Sequence, residues 1–179
     1  MQTAARVVIT GLGAICASGK QPEQILDSLL TGTISIAEIG NWDGEDWPCR
    51  LGGVVGFSPR ELINDRKLLK LIKKTDVVGI YAAEQALNSA GISAYRESLA
   101  SAADDSFAER FGLYVGTSGG YYDTQYDFLP LISEANGSMQ AIGERLGESV
   151  NPMWLLGHLP NNVVCHLGIK NKPKGPNAC

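Results

Sequence analysis

The chain has 179 residues, 44% of them hydrophobic and 19% charged, a composition that excludes a disordered profile and suits one globular domain over 1–179, or part of a larger one. Fifteen Lys and Arg against 19 Asp and Glu leave a net charge of −4, so no nucleic-acid partner is expected through overall charge. Apolar runs such as Val77–Ala83 fall far below the about 20 residues that a membrane span needs, so no membrane partner is expected either.

The first 19 residues carry one Arg, with Thr10 and three glycines where a secretory leader would place its apolar block; a cytoplasmic protein is expected. Arg6–Thr10 reads as a strand closed by Gly11 and Gly13, and its nearly continuous apolar side chains suit a central parallel strand. Pro22 stands at the start of a helix over Glu23–Leu30, with Gly32 as its stop. Residues 33–64 look irregular, with an acidic, Trp-bearing loop at Asn41–Trp47 and a short strand expected at Leu51–Phe57. One long helix is expected over Asp65–Ala90, capped by Asp65 and stopped by Gly91. On its wheel Leu68, Leu69, Leu71 and Ile72 share one side, while Arg66, Lys67, Lys70, Lys73 and Lys74 share the other. Beyond Thr75 it is small or apolar all round, as in a helix buried between layers.

Residues 93–109 read as a polar loop, Phe111–Val115 as a strand, and Gly116–Gly120 as a turn. A partly helical aromatic stretch follows at Tyr121–Leu131, then a polar helix around Ser138–Leu146 and an apolar helix over Trp154–Leu167 interrupted by Pro160. Strands alternating with helices indicate an α/β layered fold.

The motifs alone assign no chemistry. Gly11-Leu12-Gly13 after a strand mimics a dinucleotide-binding turn, but Cys16 stands at the third position and the helix begins near Pro22, too far on to meet a phosphate. Gly116–Gly120 lacks the Lys-Ser/Thr of a phosphate loop and reads as a tight turn or an anion nest. Cys16, Cys49, Cys165 and Cys179 form no CxxC pair and match no zinc spacing; adjacent Cys165 and His166 would point about 100° apart on a helix. His158 and His166 both fall in an apolar segment, as packed histidines do. The basic run 66–74 is either a solvated face or a patch that steers an acidic partner. No metal and no cofactor is expected.

Taken in order, several blocks nonetheless resemble one family. Arg6-Val-Val-Ile-Thr-Gly-Leu-Gly-Ala14 is similar to the opening strand of the β-ketoacyl-acyl-carrier-protein synthases, the elongating condensing enzymes of fatty-acid and polyketide synthesis. Arg66–Lys70 with the Ala-rich helix to Ala90-Gly91-Ile92 resembles the family's first long helix, and Phe111–Thr117 with Gly119-Gly120 its next strand and glycine turn. Asn151-Pro152, Asn161 and His166 fit the approach to the catalytic site, and Lys174-Gly175-Pro176-Asn177-Ala178-Cys179 the turn before it.

The resemblance implies the N-terminal half of a thiolase-like α/β/α/β/α fold, cut before the nucleophile. By the family's spacing that cysteine would lie about five residues beyond Cys179, and two histidines and a lysine later still, so the resemblance gives no catalytic residue in this chain. It implies an acyl carrier protein as partner, with Lys67 and Lys70 at the family's docking positions; Lys74 is added from the wheel. It implies a homodimer or a ketosynthase-type heterodimer. Gly119, where many members carry a bulky gate, and Trp154, where an aromatic residue often closes the partner subunit's pocket, are expected to line the acyl site together with Met153. Pro160, and Lys172-Pro173 in place of a glycine-apolar pair, depart from the family pattern. A chain-length-factor-like partner without the nucleophile, or a stand-alone binding module, is the alternative. Apolar faces around Val77–Ala90 and Leu155–Leu167 are expected to be exposed.

Overall fold

Pro22 and Gly32 bracket the first helix for opposite reasons. Proline fits the first turn, whose N–H groups lack partners anyway, and glycine accepts the left-handed conformation (φ 69°) in which its own N–H and that of Thr33 return to the last carbonyls, Leu29 O and Ser28 O. This helix is α1, Pro22–Thr31, as expected. The computed structural model describes residues 6–40, 47–117 and 121–179, with the backbone alone over 121–127. They form two compact units: Met1–Leu62 with Val78–Asp104, and Ile63–Val77 with Asp105–Cys179.

In the first unit, β1 (Ala37–Glu38) pairs antiparallel with β2 (Leu51–Gly52), Ala37 opposite Gly52, and an Arg50–Glu38 ion pair of 3.3 Å lies beside them. The strand expected over Leu51–Phe57 is thus two residues long, and α2 (Pro59–Leu62) follows it. Arg6–Thr10 corrects a larger expectation. It joins no ladder among the described residues, and Val7 and Ile9 are 96% and 82% exposed. A continuous β-branched run favours a strand, but burial needs neighbours on both edges.

Gly11 and Gly13 serve packing. A Cβ on Gly11 would strike Ala86 O and come within 2.6 Å of Ala90 N; one on Gly13 would strike Ala82 O and come within 2.8 Å of Ala86 N. The turn can therefore lie directly on α3 (Lys74–Ser89), and Gln85 of that helix clamps it. Gln85 Oε1 accepts from Ala14 N at 3.1 Å, and its Nε2 donates to Lys20 O. Gly91 stops α3 in the left-handed conformation, as expected (φ 66°).

Two differences from the sequence reading concern helices. The span 93–109 is not a loop: α4 (Ile92–Glu97) and α5 (Ser101–Arg110) occupy it, with Arg96 forked onto Asp104 at 2.6 and 2.9 Å. Alanines at 94, 102, 103 and 108 supply helix propensity that the polar residues disguise. Nor is Asp65–Ala90 one helix. Asp65 caps only a 3₁₀ turn, Leu68–Lys70, and α3 starts afresh at Lys74, where Asp76 Oδ2 accepts from Lys73 N at 3.0 Å. Two caps make two starts.

In the second unit, β3 (Leu113–Tyr114) runs parallel to β4 (Asn177–Ala178), with Leu113 opposite Asn177. Gly175 permits the approach: its N donates to Phe111 O at 3.0 Å, and a Cβ there would sit 2.7 Å from that oxygen. Helices α6 (Tyr121–Ala135) and α7 (Met139–Ser149) form a hairpin through Asn136 and Gly137, both at positive φ. Ser138 caps α7, its hydroxyl accepting from Ala141 N at 3.2 Å. The expected helix over Trp154–Leu167 is split into α8 (Trp154–Gly157) and α9 (Asn162–Asn171), broken around Pro160. Leu131, Val163 and Leu167 are buried.

The expected exposure is not found over Val77–Ala90, where Val77 and Ile80 are buried and the other apolar residues half-buried, and is partly found over Leu155–Leu167, where Leu155, Leu156 and Leu159 are exposed but Val163 and Leu167 are buried. Outside both segments Val7–Ile9, Leu26, Leu29 and Leu30 are exposed. Among the described residues no helix is long and apolar enough to cross a membrane.

Candidate functional site

The second unit holds most of the residues singled out from the sequence. Its basic segment begins at Asp65, whose Oδ1 accepts from Leu68 N at 3.1 Å and Lys67 N at 2.8 Å. Those backbone donors, with smaller attractions from Lys67 and His166, hold the Asp65 carboxyl below the ordinary aspartate value. Lys67, Lys70 and Lys74 are all exposed, and Leu68, Leu69, Leu71 and Ile72 are half-buried, so the in-and-out pattern of the wheel survives. Its geometry does not. Lys67 precedes a 3₁₀ turn, Lys70 ends it and Lys74 opens α3, so no single α-helical face presents all three, and Lys73 turns inward to half-burial.

Trp154 stands on α8, set there by an Asn151-Pro152 turn: Asn151 Oδ1 accepts from Met153 N at 2.9 Å and its backbone O from Trp154 N at 2.8 Å. The indole meets Phe128 edge-on at 4.7 Å and stacks on His158 at 4.6 Å. His158 Nδ1–H donates to Trp154 O at 2.6 Å, so this histidine is packed and bonded, as expected. Lys70, Lys73, Ser149, Asn151, Met153, Trp154 and His158 line one cavity of about 360 Å³. The structure thus joins one docking candidate, Lys70, to the two acyl-wall candidates Met153 and Trp154. Lys67 and Lys74 are not in that lining, and Gly119 lies outside the described residues.

Cys179 follows β4, with its Sγ 3.3 Å from Pro160 O and 4.0 Å from Thr117 Oγ1. All four cysteines are free, Cys165 is exposed, and no metal-holding group of His, Cys, Asp and Glu occurs among the described residues. Two residues that sequence reasoning missed bind this region together. Asn162, 4% exposed, donates from Nδ2 to Asp76 Oδ2 at 3.3 Å and to Leu156 O at 3.0 Å. Asp76 had a signal, an acid three residues after a helix's first flank; Asn162 had none, because its partner lies 86 positions away.

Comparison with known proteins places this geometry. The model of the β-ketoacyl synthase N-terminal domain matches residues 4–179. The 3-oxoacyl-acyl-carrier-protein synthase 2 of Synechocystis is 27% identical over 97% of this chain, which spans 37% of that protein's length. Among solved structures, the ishigamide ketosynthase/chain length factor is similar with a TM-score of 0.68 at 20% identity, over 96% of this chain and 38% of the other. A type II polyketide ketosynthase, solved in complex with its acyl-carrier protein and bound to the hexaketide, is similar with a TM-score of 0.62 at 20% identity, over 96% of this chain and 40% of the other. The fold is therefore that of the ketosynthases, thiolase-like and mixed α/β, and this chain spans about two-fifths of the proteins it matches. With the domain model running from residue 4 to residue 179, the chain belongs to the β-ketoacyl synthases, as their N-terminal domain.

Proposed function

We propose that residues 1–179 are the incomplete N-terminal domain of a β-ketoacyl-acyl-carrier-protein synthase, a condensing enzyme of fatty-acid or polyketide synthesis that works in the cytoplasm. The observation that carries this reading is the family match over 4–179. In the whole reaction a cysteine thiolate takes an acyl group from its carrier thioester and releases the carrier thiol. A malonyl-carrier then loses carbon dioxide, and the resulting carbanion attacks the acyl-cysteine, forming the new carbon–carbon bond and freeing the thiolate. No residue of this chain is proposed as catalytic, and neither metal nor cofactor is invoked.

The chain's own part is binding. Lys67, Lys70 and Lys74 form the carrier-docking surface; their exposure in an otherwise acidic chain supports this. Gly119, Met153 and Trp154 form a wall of the acyl pocket, supported by the cavity that Met153 and Trp154 share with Lys70. The acyl-carrier complex and the ketosynthase/chain length factor among the similar structures support a carrier partner and a paired assembly, homodimer or heterodimer.

The test is a binding and acylation assay on the purified chain. No acyl-enzyme should form with acyl-carrier thioesters, while holo-carrier protein should associate in a salt-sensitive way. Changing Lys67, Lys70 and Lys74 together to Glu should slow that association strongly at low ionic strength, because rim charges act over about 8–10 Å and chiefly on the on-rate. Acylation of Cys179, or carrier binding that ignores both salt and the triple change, would overturn the reading.

A further inference from the structure

Within the second unit one buried amide joins two pieces of chain that have little hold of their own. Asn162 has two Nδ2 hydrogens and spends both: one on Asp76 Oδ2, one on the carbonyl of Leu156. The same Asp76 oxygen accepts the N–H of Lys73. A continuous path of hydrogen bonds therefore runs from the basic segment, through Asp76 and Asn162, to α8. That helix is four residues long, too short to be stable alone, and it carries Trp154. Nearby, Gly157 of α8 faces the segment at ordinary contact distance: a Cβ there would be 3.6 Å from Leu71 O. Lys70 and Lys73 line the cavity from one side of this path, and Trp154 and His158 from the other.

We propose that Asn162 is a positioning residue: its two hydrogen bonds fix the Trp154–His158 wall against the segment Lys70–Lys73, so that both linings of the cavity keep one spacing. The functional meaning of that spacing, carrier docking held in register with the acyl wall, rests on the function proposed above; the geometry does not. A buried amide with both protons used is a demanding device, because either acceptor left without its donor bears the full cost of desolvation. Leucine at 162 would leave Leu156 O without this donor and Asp76 Oδ2 with the Lys73 N–H in place of two donors. Aspartate would place a second carboxylate against Asp76.

The experiment uses the 179-residue chain with Trp42 and Trp47 changed to Phe, so that Trp154 alone emits. Quenching is measured with iodide, an anion that Lys70 and Lys73 draw in, and with neutral acrylamide at constant ionic strength. The iodide-to-acrylamide ratio then reads the spacing between indole and lysines, and Lys70→Glu sets its low limit. Asn162→Leu should bring the ratio down to that limit at a temperature where circular dichroism shows the helices intact. The exchange Asn162→Asp with Asp76→Asn restores the 76–162 bond but gives Leu156 O no donor; it should regain melting temperature over Asn162→Asp alone and leave the ratio low. Should Asn162→Leu fail to fold, the exchanged chain carries the test. If the variants melt earlier while the ratio stays at its starting value, or if the exchange restores the ratio, Asn162 is a stability residue only and the proposal fails. Carrier binding indifferent to the triple lysine change sinks the docking reading instead, and leaves the quenching ratio untouched.

Discussion

Where the first unit seats its opening segment on α3, backbone lies on backbone; where the second unit joins the start of α3 to α8, side chains span the gap. The first contact exists because Gly11 and Gly13 have no Cβ, and the Gln85 side chain fastens it. The second runs through Asp76 and Asn162, with the Trp154–His158 stack beside it. A seam of the first kind tolerates no added atom. One of the second kind tolerates shape changes but not the loss of a donor. The contrast separates residues whose replacement fails by collision from those whose replacement fails by leaving a polar group alone.

The largest effect should come from collision. Gly13→Val pushes a branched side chain into Ala82 O and Ala86 N, and should lower the unfolding free energy by about 3–4 kcal/mol, read as an earlier urea midpoint. A midpoint within error of the parent would mean that the turn does not rest on α3. Trp154→Ala removes a half-buried indole and both of its ring contacts; about 2 kcal/mol is expected, below the about 3–5 kcal/mol of fully buried large aromatics because this residue is only half-buried. Gln85→Ala leaves Ala14 N and Lys20 O to find water and should cost about 1–2 kcal/mol, whereas Gln85→Glu keeps an acceptor for Ala14 and loses only the donor to Lys20.

The smallest effect concerns Asp65. Its folded carboxyl titrates below the ordinary aspartate value of 3.8, so the unfolded chain takes up that proton first as pH falls. The stabilisation is therefore complete above the ordinary value and is lost as acid passes through the lower folded one. Asp65→Asn keeps an acceptor oxygen for both cap bonds, so it should flatten the acid limb of a melting-temperature profile below about pH 4 and hardly alter it at pH 7 beyond the loss of the charge. An unchanged acid limb would show that Asp65 does not hold the first turn.

Much of the local structure was legible because its chemistry is local. Pro22 and Gly32 bound α1, Ser138 opened α7, Gly91 ended α3 and Pro160 divided the last apolar helix. The ordered family blocks were legible too, and with them the fold. What escaped depends on partners distant in sequence or on signals that cancel. Arg6–Thr10 reads as a buried strand, yet burial belongs to its neighbours and not to its own residues. The acids and serines of 93–109 masked an alanine background that is helical. The wheel over 65–90 ran through Leu71–Lys73 because those residues are good helix formers; only the second cap, Asp76, shows that the helix restarts. Of the candidate site, Lys70, Met153 and Trp154 were brought into one cavity, while the amide that spaces them carries no mark in the sequence.

The pairing of β3 with β4 has a consequence in time. Its partners, Leu113 and Asn177, stand 64 positions apart, and the two-residue register returns little for closing so long a loop. The α6–α7 hairpin of the same unit needs only the turn at Asn136–Ser138. Contact order thus ranks the two: the hairpin condenses early, and the parallel pair closes late upon an already folded helical support. In pulse-labelling, the amides of Leu113 and Val115, which donate to Pro176 and Ala178, should be among the last in this unit to gain protection.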